Sequence, residues 1–314
     1  MTATSGPQVL SVIIPVRNQA GALGRLLDRL REQAMPPDWQ VEVIVVDNCS
    51  TDHTAAVIKA SPFTYALCAE LGSGAARNAG VAASRGSLLY FMDADTLPGS
   101  NEQFVTVVDI ASRIGPGRFG AFGGAVVIPP NQRWNPIAIA DHWACWFNWH
   151  PVRPPERTNL FQPGLSLVAT RRAFDAVGGF DNSLAVMQDM EFQHRLMKRG
   201  FAIYFTPRLV VMHEARGSLW RSWRHSWSWG GPFRERYLPT APDYGLKYPL
   251  GHPRFFRNLV PLFRRRFRMV TRIARANARW QLVYCYPFLA ATIFAWAYAV
   301  VRGREPTHEE RSPI

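Results

Sequence analysis

Runs of β-branched residues alternate with helix-forming stretches through roughly the first two hundred residues, and a chain patterned in this way closes its core as a layered α/β domain. SVIIPV, VEVIVVD, FTYALC, SLLYFMD and FGAFGGAVVI read as successive strands. Between them, Ala20 to Gln33, Thr51 to Ala60, Gly74 to Ser84 and Asn101 to Ile114 carry helical periodicity or caps. The expected fold is a mostly parallel, Rossmann-like sheet flanked by helices. Ligands of such sheets gather where strands end at their carboxyl side, and the predicted strands lead into Asp47 with Asp52, and into Asp93 with Asp95. From Pro129 to Pro163 the pattern dissolves into Pro, Trp and Asn. It resumes with GLSLVAT as a strand, TRRAFDAVGGF as a short helix, Met187 to Arg199 as a second helix and RLVVMHE as a last strand.

Charge is distributed unevenly, and its location matters more than the net +13. Twelve basic residues, Lys247, Arg254, Arg257, Arg264, Arg265, Arg266, Arg268, Arg272, Arg275, Arg279, Arg302 and Arg304, lie in a stretch without a single acidic residue, leaving 24 basic against 23 acidic elsewhere. This block flanks Leu282 to Val301, twenty residues without a charge. Basic residues beside an apolar run point to an anionic membrane surface, and no nucleic-acid partner is expected. The run is long enough to span a bilayer, while Pro287, the preceding tyrosines and the basic lead also suit a helix lying in the interface or packed on the protein. Four well-separated cysteines, Cys49, Cys68, Cys145 and Cys285, form no disulfide framework or zinc knuckle. The amino terminus lacks a basic region before its short apolar run, so the catalytic part is expected in the cytosol, at the cytoplasmic face of the membrane.

Asp93-Ala94-Asp95 follows an apolar strand, which leaves two carboxylates at an exposed strand end, with Asp95 able to reach a metal. Hard oxygen ligands suit Mg2+ or Mn2+, and such an ion would bridge a diphosphate and neutralise the charge growing on it as it leaves. An Asp-rich turn produces the same pattern. Asp47 and Asp52 suit hydrogen bonds to the base and ribose of a nucleotide, and equally a strand-end turn and a helix cap. A glycine-led helix start then places Arg77 and Asn78 on its first turns.

In this order and spacing, SVIIPVRN, VDNCSTDHT, ARNAGVAASRG and FMDADT resemble family 2 glycosyltransferases, across about Val9 to His213, roughly two thirds of the chain. The resemblance implies the GT-A fold, a single α/β domain that binds a nucleotide sugar, and an inverting, metal-dependent transfer. It assigns Pro15 and Asp47 to the nucleotide base, Asp52 and Arg77 to the donor, Asp93 and Asp95 to the diphosphate and metal, and Asp189 to the catalytic base within VGGFDNSLAVMQDMEF. Gln188 stands where that family has Glu; it keeps an acceptor, gains a donor and loses a charge, which bears on the acceptor more than on the base. His213 after the final strand would complete the metal shell. Without a Gln-x-x-Arg-Trp element in RSWRHSWSWGG, single transfers are expected.

Eight of the eleven tryptophans fall in Trp134 to Trp149 and Trp220 to Trp229. Indoles stack on sugars and sit at membrane interfaces, so while core packing accounts for some of them, these segments, Trp220 and Trp223 among them, are expected as a set to form an acceptor wall or lid. The resulting division is a catalytic domain over 1–215, a Trp-rich segment over 216–245 and a membrane-associating tail over 246–314. The expected partners are a nucleotide diphosphate sugar and a sugar or lipid-linked acceptor. A nucleotidyltransferase would need a Gly-rich basic loop where PVRNQAGALG stands, and an oxidoreductase a Gly-x-Gly-x-x-Gly there. A non-enzymatic basic module would account for the arginines but not for the carboxylates.

Overall fold

A computed structural model describes residues 8–115, 117, 119–184, 186–232, 252–277 and 279–302. Residues 233–245 of the expected lid, and Lys247 and Arg304 of the basic block, lie outside the described residues. The chain divides into two compact units, Met1–Val126 with Pro154–His213, and Val127–Arg153 with Glu214–Ile314.

The first unit is an α/β fold around one sheet. Strands β1 (Gln8–Val16), β2 (Trp39–Asp47), β3 (Thr64–Leu67) and β4 (Leu88–Met92) alternate with helices α1 (Ala20–Arg31), α2 (Thr54–Lys59) and α3 (Ser73–Ala82). These four strands are parallel, in the order β3-β2-β1-β4. They are followed by β5 (Thr96–Pro98), α4 (Gln103–Ile114) and β6 (Phe119–Val127). After the excursion into the second unit come β7 (Glu156–Thr158), β8 (Ser166–Thr170), α6 (Arg171–Val177), α7 (Gln188–Lys198) and β9 (Ala202–His213). β8 joins β4 antiparallel, and the sheet continues through β6 and β9 to β5, with β7 also on β9.

Continuous apolar runs form the central strands because both faces are covered; every residue of β4 is buried. The alternating periodicity of α1 turns Leu23, Leu26, Leu27 and Leu30 inward. Helix α3 approaches β1 so closely that a Cβ on Gly80 would lie 2.5 Å from Ile13 Cγ2, a contact open only to glycine. Around Ile13, the core gathers Phe91, Phe174, Phe180 and Phe192, with ring centroids 4.6 Å apart between Phe180 and Phe192. This aromatic cluster fixes α6 and α7 to the sheet.

The second unit corrects the reading of 129–163 as irregular. Residues Pro136–Trp146 form a helix, α5, with Asn135 Oδ1 accepting from the amides of Ile137 (3.0 Å) and Ala138 (3.1 Å) and Pro136 at its first position. Its companions are α8 (Leu219–Pro232), α9 (Leu259–Asn277) and α10 (Arg279–Arg302). Ile139, Ala140, Trp143 and Ala144 of α5 pack with Val270 and Ile273 of α9 and with Cys285 and Leu289 of α10. Completely buried Asp141 accepts from the Arg216 amide (3.1 Å) and Nη1 (3.4 Å), and Gln132 exchanges two hydrogen bonds with the Ala215 backbone.

Candidate active site

Strand register brings the predicted residues to one end of the parallel strands. Val16 lies opposite Asp47 and Pro15 opposite Val46, while Ile13 pairs with Phe91, so β4 delivers Asp93 level with Pro15. At the β2 end, buried Asp47 accepts from the Ser50 amide (3.0 Å) and from the Tyr65 hydroxyl (3.4 Å). Burial, then the Asp47 charge, pushes the Tyr65 hydroxyl pKa up, so this hydrogen bond keeps its proton. Asn48 holds the next loop by donating to the carbonyls of Cys68 and Glu70 and accepting from the Gly72 amide. Asp52 takes the capping role open to it: it accepts from the Ala20 amide at the start of α1 and from the Thr54 amide and hydroxyl at the start of α2. These bonds hold its pKa below the usual value, with the Thr54 hydroxyl the largest cause.

The β4 end carries the charge-bearing groups. Arg77, only 3% exposed, donates from Nη2 to Asp93 Oδ1 at 2.6 Å and lies over the Phe180 ring. Burial pushes the Asp93 carboxyl up, opposed first by Arg77. Antiparallel pairing sets Thr96 against His213, which brings His213 Nε2 to 3.7 Å from Asp95 Oδ2. A carboxylate and an imidazole converging beside an arginine-held second carboxylate fit a divalent ion that takes its remaining ligands from a diphosphate and water. Among the described residues, no group of three or more His, Cys, Asp or Glu forms a full cage.

Asp189, 8% exposed, stands on the first turn of α7 and is fixed from both sides: Oδ2 accepts from the Gly164 amide (2.8 Å) and Oδ1 from the Met190 amide (2.9 Å). Burial raises its pKa, opposed first by Arg77 and then by these amides. The turn entering α7 is held by Met187 in the left-handed region at φ 65°. Gln188 donates to Ser73 Oγ at 2.6 Å, while its Oε1 is buried without a hydrogen-bond partner among the described residues. That leaves an acceptor atom beside Asp189 for an incoming donor group.

Two positioning groups, Gly164 and Gln193, lay beyond the sequence reading, and a third, Asn78, was placed on its helix without this role. Gly164 supplies the amide to Asp189 and makes room for Arg77, because a Cβ there would lie 2.7 Å from Nη2. Gln193, fully buried, donates to the carbonyls of Asp189 and Gln162 and accepts from the Gln162 amide, tying α7 to the segment that carries Gly164. Asn78 clasps both backbone groups of Phe180 and the side chain of Asn182. Asn78 was visible beside Arg77 on α3; Gly164 and Gln193 carried no local signal. Of the tryptophans, Trp143 and Trp149 are buried and are among those that serve in core packing, while Trp134, Trp220 and Trp223 are exposed.

The model of the family described as Glycosyl transferase family 2 matches residues 11–162. The chain is 30% identical over 241 residues to the pre-mycofactocin glycosyltransferase of Mycobacterium tuberculosis, a match covering 70% of this chain and 46% of that protein. It therefore spans about half the length of that relative. It is 27% identical over 245 residues to the N-acetylglucosaminyl-diphospho-decaprenol L-rhamnosyltransferase of the same organism, covering 67% of this chain and 78% of that one. Its fold is similar to that of a Pyrobaculum calidifontis mannosyltransferase solved with GDP-Man and Mn2+, with a TM-score of 0.55 and 20% identity over 95% of this chain and 79% of the other. The strand order, the motifs at the strand ends and the family match agree: residues 11–162, about half of the chain, match glycosyltransferase family 2, and the fold is GT-A.

Proposed function

We propose that the chain is an inverting, divalent-metal-dependent glycosyltransferase that moves one sugar from a nucleotide diphosphate donor to an acceptor hydroxyl. The observation that carries this reading is the meeting of three elements at one strand end: Arg77 bonded to Asp93, Asp95 beside His213, and Asp189 held by two amides. Pro15 and Asp47 border the base and Asp52 shapes the adjoining loop. Asp93 and Arg77 border the diphosphate. Asp95 and His213 would hold Mn2+ or Mg2+, which when bound neutralises charge on the departing nucleoside diphosphate. The mannosyltransferase of similar fold was solved with GDP-Man and Mn2+, which supports both donor class and metal.

Asp189 accepts the proton of the acceptor hydroxyl as that oxygen forms its bond to the anomeric carbon and the bond to the diphosphate oxygen breaks on the opposite face. Its amide bonds fix the carboxylate direction, and its raised pKa makes it a stronger base than an exposed Asp. Gln188 Oε1 accepts from a second group of the acceptor, and Trp220 and Trp223 offer exposed faces to a sugar or lipid. The basic and apolar tail, with the relative whose name specifies a decaprenol-linked substrate, supports a lipid-linked or membrane-delivered acceptor at the cytoplasmic face.

The test is a panel of nucleotide sugars with Mn2+ or Mg2+, scoring release of nucleoside diphosphate. Turnover of one donor by the wild type, abolished by Asp95→Ala, with Asp189→Asn still binding donor but inactive, is the expected result. Absence of donor binding at every metal concentration, with tight binding to anionic vesicles, would leave a membrane-bound, non-enzymatic module instead.

A further inference from the structure

Helix α10 is long and apolar enough between Val283 and Arg302 to cross a bilayer, yet its packing within the second unit argues for a different placement. Only 33% of that stretch is buried, and the buried side is occupied by protein. Ser222 Oγ of α8 lies 3.2 Å from Thr292 Oγ1, and eight residues further along α8 a Cβ on Gly230 would lie 2.4 Å from the Ala299 Cβ. The two helices therefore run alongside each other in the same direction. That places exposed Arg221 and Arg224 of α8 level with Thr292, the midpoint of the apolar stretch. A spanning α10 would carry these arginines to the bilayer centre, where a charge is most costly.

The other side of α10 presents Val283, Tyr286, Ala290, Phe294, Tyr298 and Val301, at spacings of three and four, as one apolar stripe along the helix. Val283 is 79% and Phe294 70% exposed. Helix α9 buries Val270 and Ile273 in the same cluster as Cys285 and Leu289 of α10, and it exposes Arg264, Arg268, Arg272 and Arg275 with Phe267. An apolar stripe on one helix and a row of arginines on the helix packed with it match a surface that is apolar within and anionic at its edge.

We propose that α10 lies in the plane of an anionic lipid surface, with this stripe inserted and the α9 arginines at the headgroups, and does not cross the membrane. The proposal extends the membrane part of the proposed function and is independent of the sugar donor and acceptor. Two measurements on the full chain test it. In membrane vesicles of both orientations, epitopes at the two termini are expected on the same side; opposite sides would mean that α10 spans, overturning the proposal while leaving membrane association intact. On phosphatidylcholine vesicles with an equal share of phosphatidylglycerol, Phe294→Asp is expected to weaken binding about tenfold. Arg264→Gln with Arg268→Gln is expected to weaken it about 30-fold. Both variants alter exposed side chains, and unchanged melting temperatures would verify their folds. Wild-type binding by Phe294→Asp would overturn the stripe as the inserted face, and failure of the wild type to bind these vesicles would overturn the membrane reading itself.

Discussion

As the proposed base, Asp189 has to be ionised to take a proton, and its burial works against ionisation. The rate should therefore fall as pH drops through a pKa raised above that of an ordinary Asp, about 3.9. The expected kcat/KM profile has an acid limb displaced upward, which initial rates across pH would reveal, and Asp189→Asn should remove that limb with a loss of about 10²- to 10⁴-fold in kcat. Gly164 tests the geometry separately from the chemistry. In Gly164→Ala the new Cβ meets Arg77 Nη2 at 2.7 Å, so either the guanidinium or the loop that orients Asp189 has to shift. A shift of the loop is expected to lower kcat about 100-fold, and a shift of the guanidinium, proposed to border the diphosphate, to weaken donor binding as well; steady-state kinetics and donor titration tell the two apart. At this scale the sequence exposed the charged residues through their motifs. It could not expose Gly164 or Gln193, because a backbone amide and an amide side chain acquire their roles only when segments 25 to 31 residues apart meet.

Among the elements, the junction between α3 and the turn after α6 depends on Asn78, whose side chain satisfies the N–H and C=O of Phe180 at 2.9 and 2.8 Å. Asn78→Ala leaves both backbone groups without these partners, and a loss of about 1 to 3 kcal/mol in urea unfolding is expected. Helix α5 offers a milder case: Asn135→Ala removes its amino-terminal cap and should cost about 1 kcal/mol by the same measurement. The parallel strands were legible because each pairs an apolar run with a polar end and a following helix. Helix α5 was not, although Asn135-Pro136 is a helix start, because its aromatic and apolar residues cover it almost all round and leave no polar stripe to mark the period. The boundary of α2 also differs from the expected Thr51 to Ala60, since Asp52 and the Thr54 hydroxyl shape the chain before the first helical turn at Thr54.

For the molecule as a whole, the proposed sharing of an ion with the donor would make the two ligands interdependent. Mn2+ together with a nucleoside diphosphate should raise the melting temperature more than either alone, and Asp95→Ala should abolish the increment due to the ion, both read by thermal shift. Chelation should halt turnover without unfolding the chain, because the aromatic core is built from apolar side chains and includes neither Asp95 nor His213. The division into two units also bears on how the chain can be taken apart. Residues 127–153 lie between strands of the first unit, while the partners that cover α5 lie after His213. Cutting the chain at that histidine would keep every residue proposed for donor, ion and base, and strip the cover from Ile139, Trp143 and Phe147. The shortened protein would expose an oily, aromatic face and self-associate, so the residues of the proposed site could not be separated genetically from the later helices that cover α5.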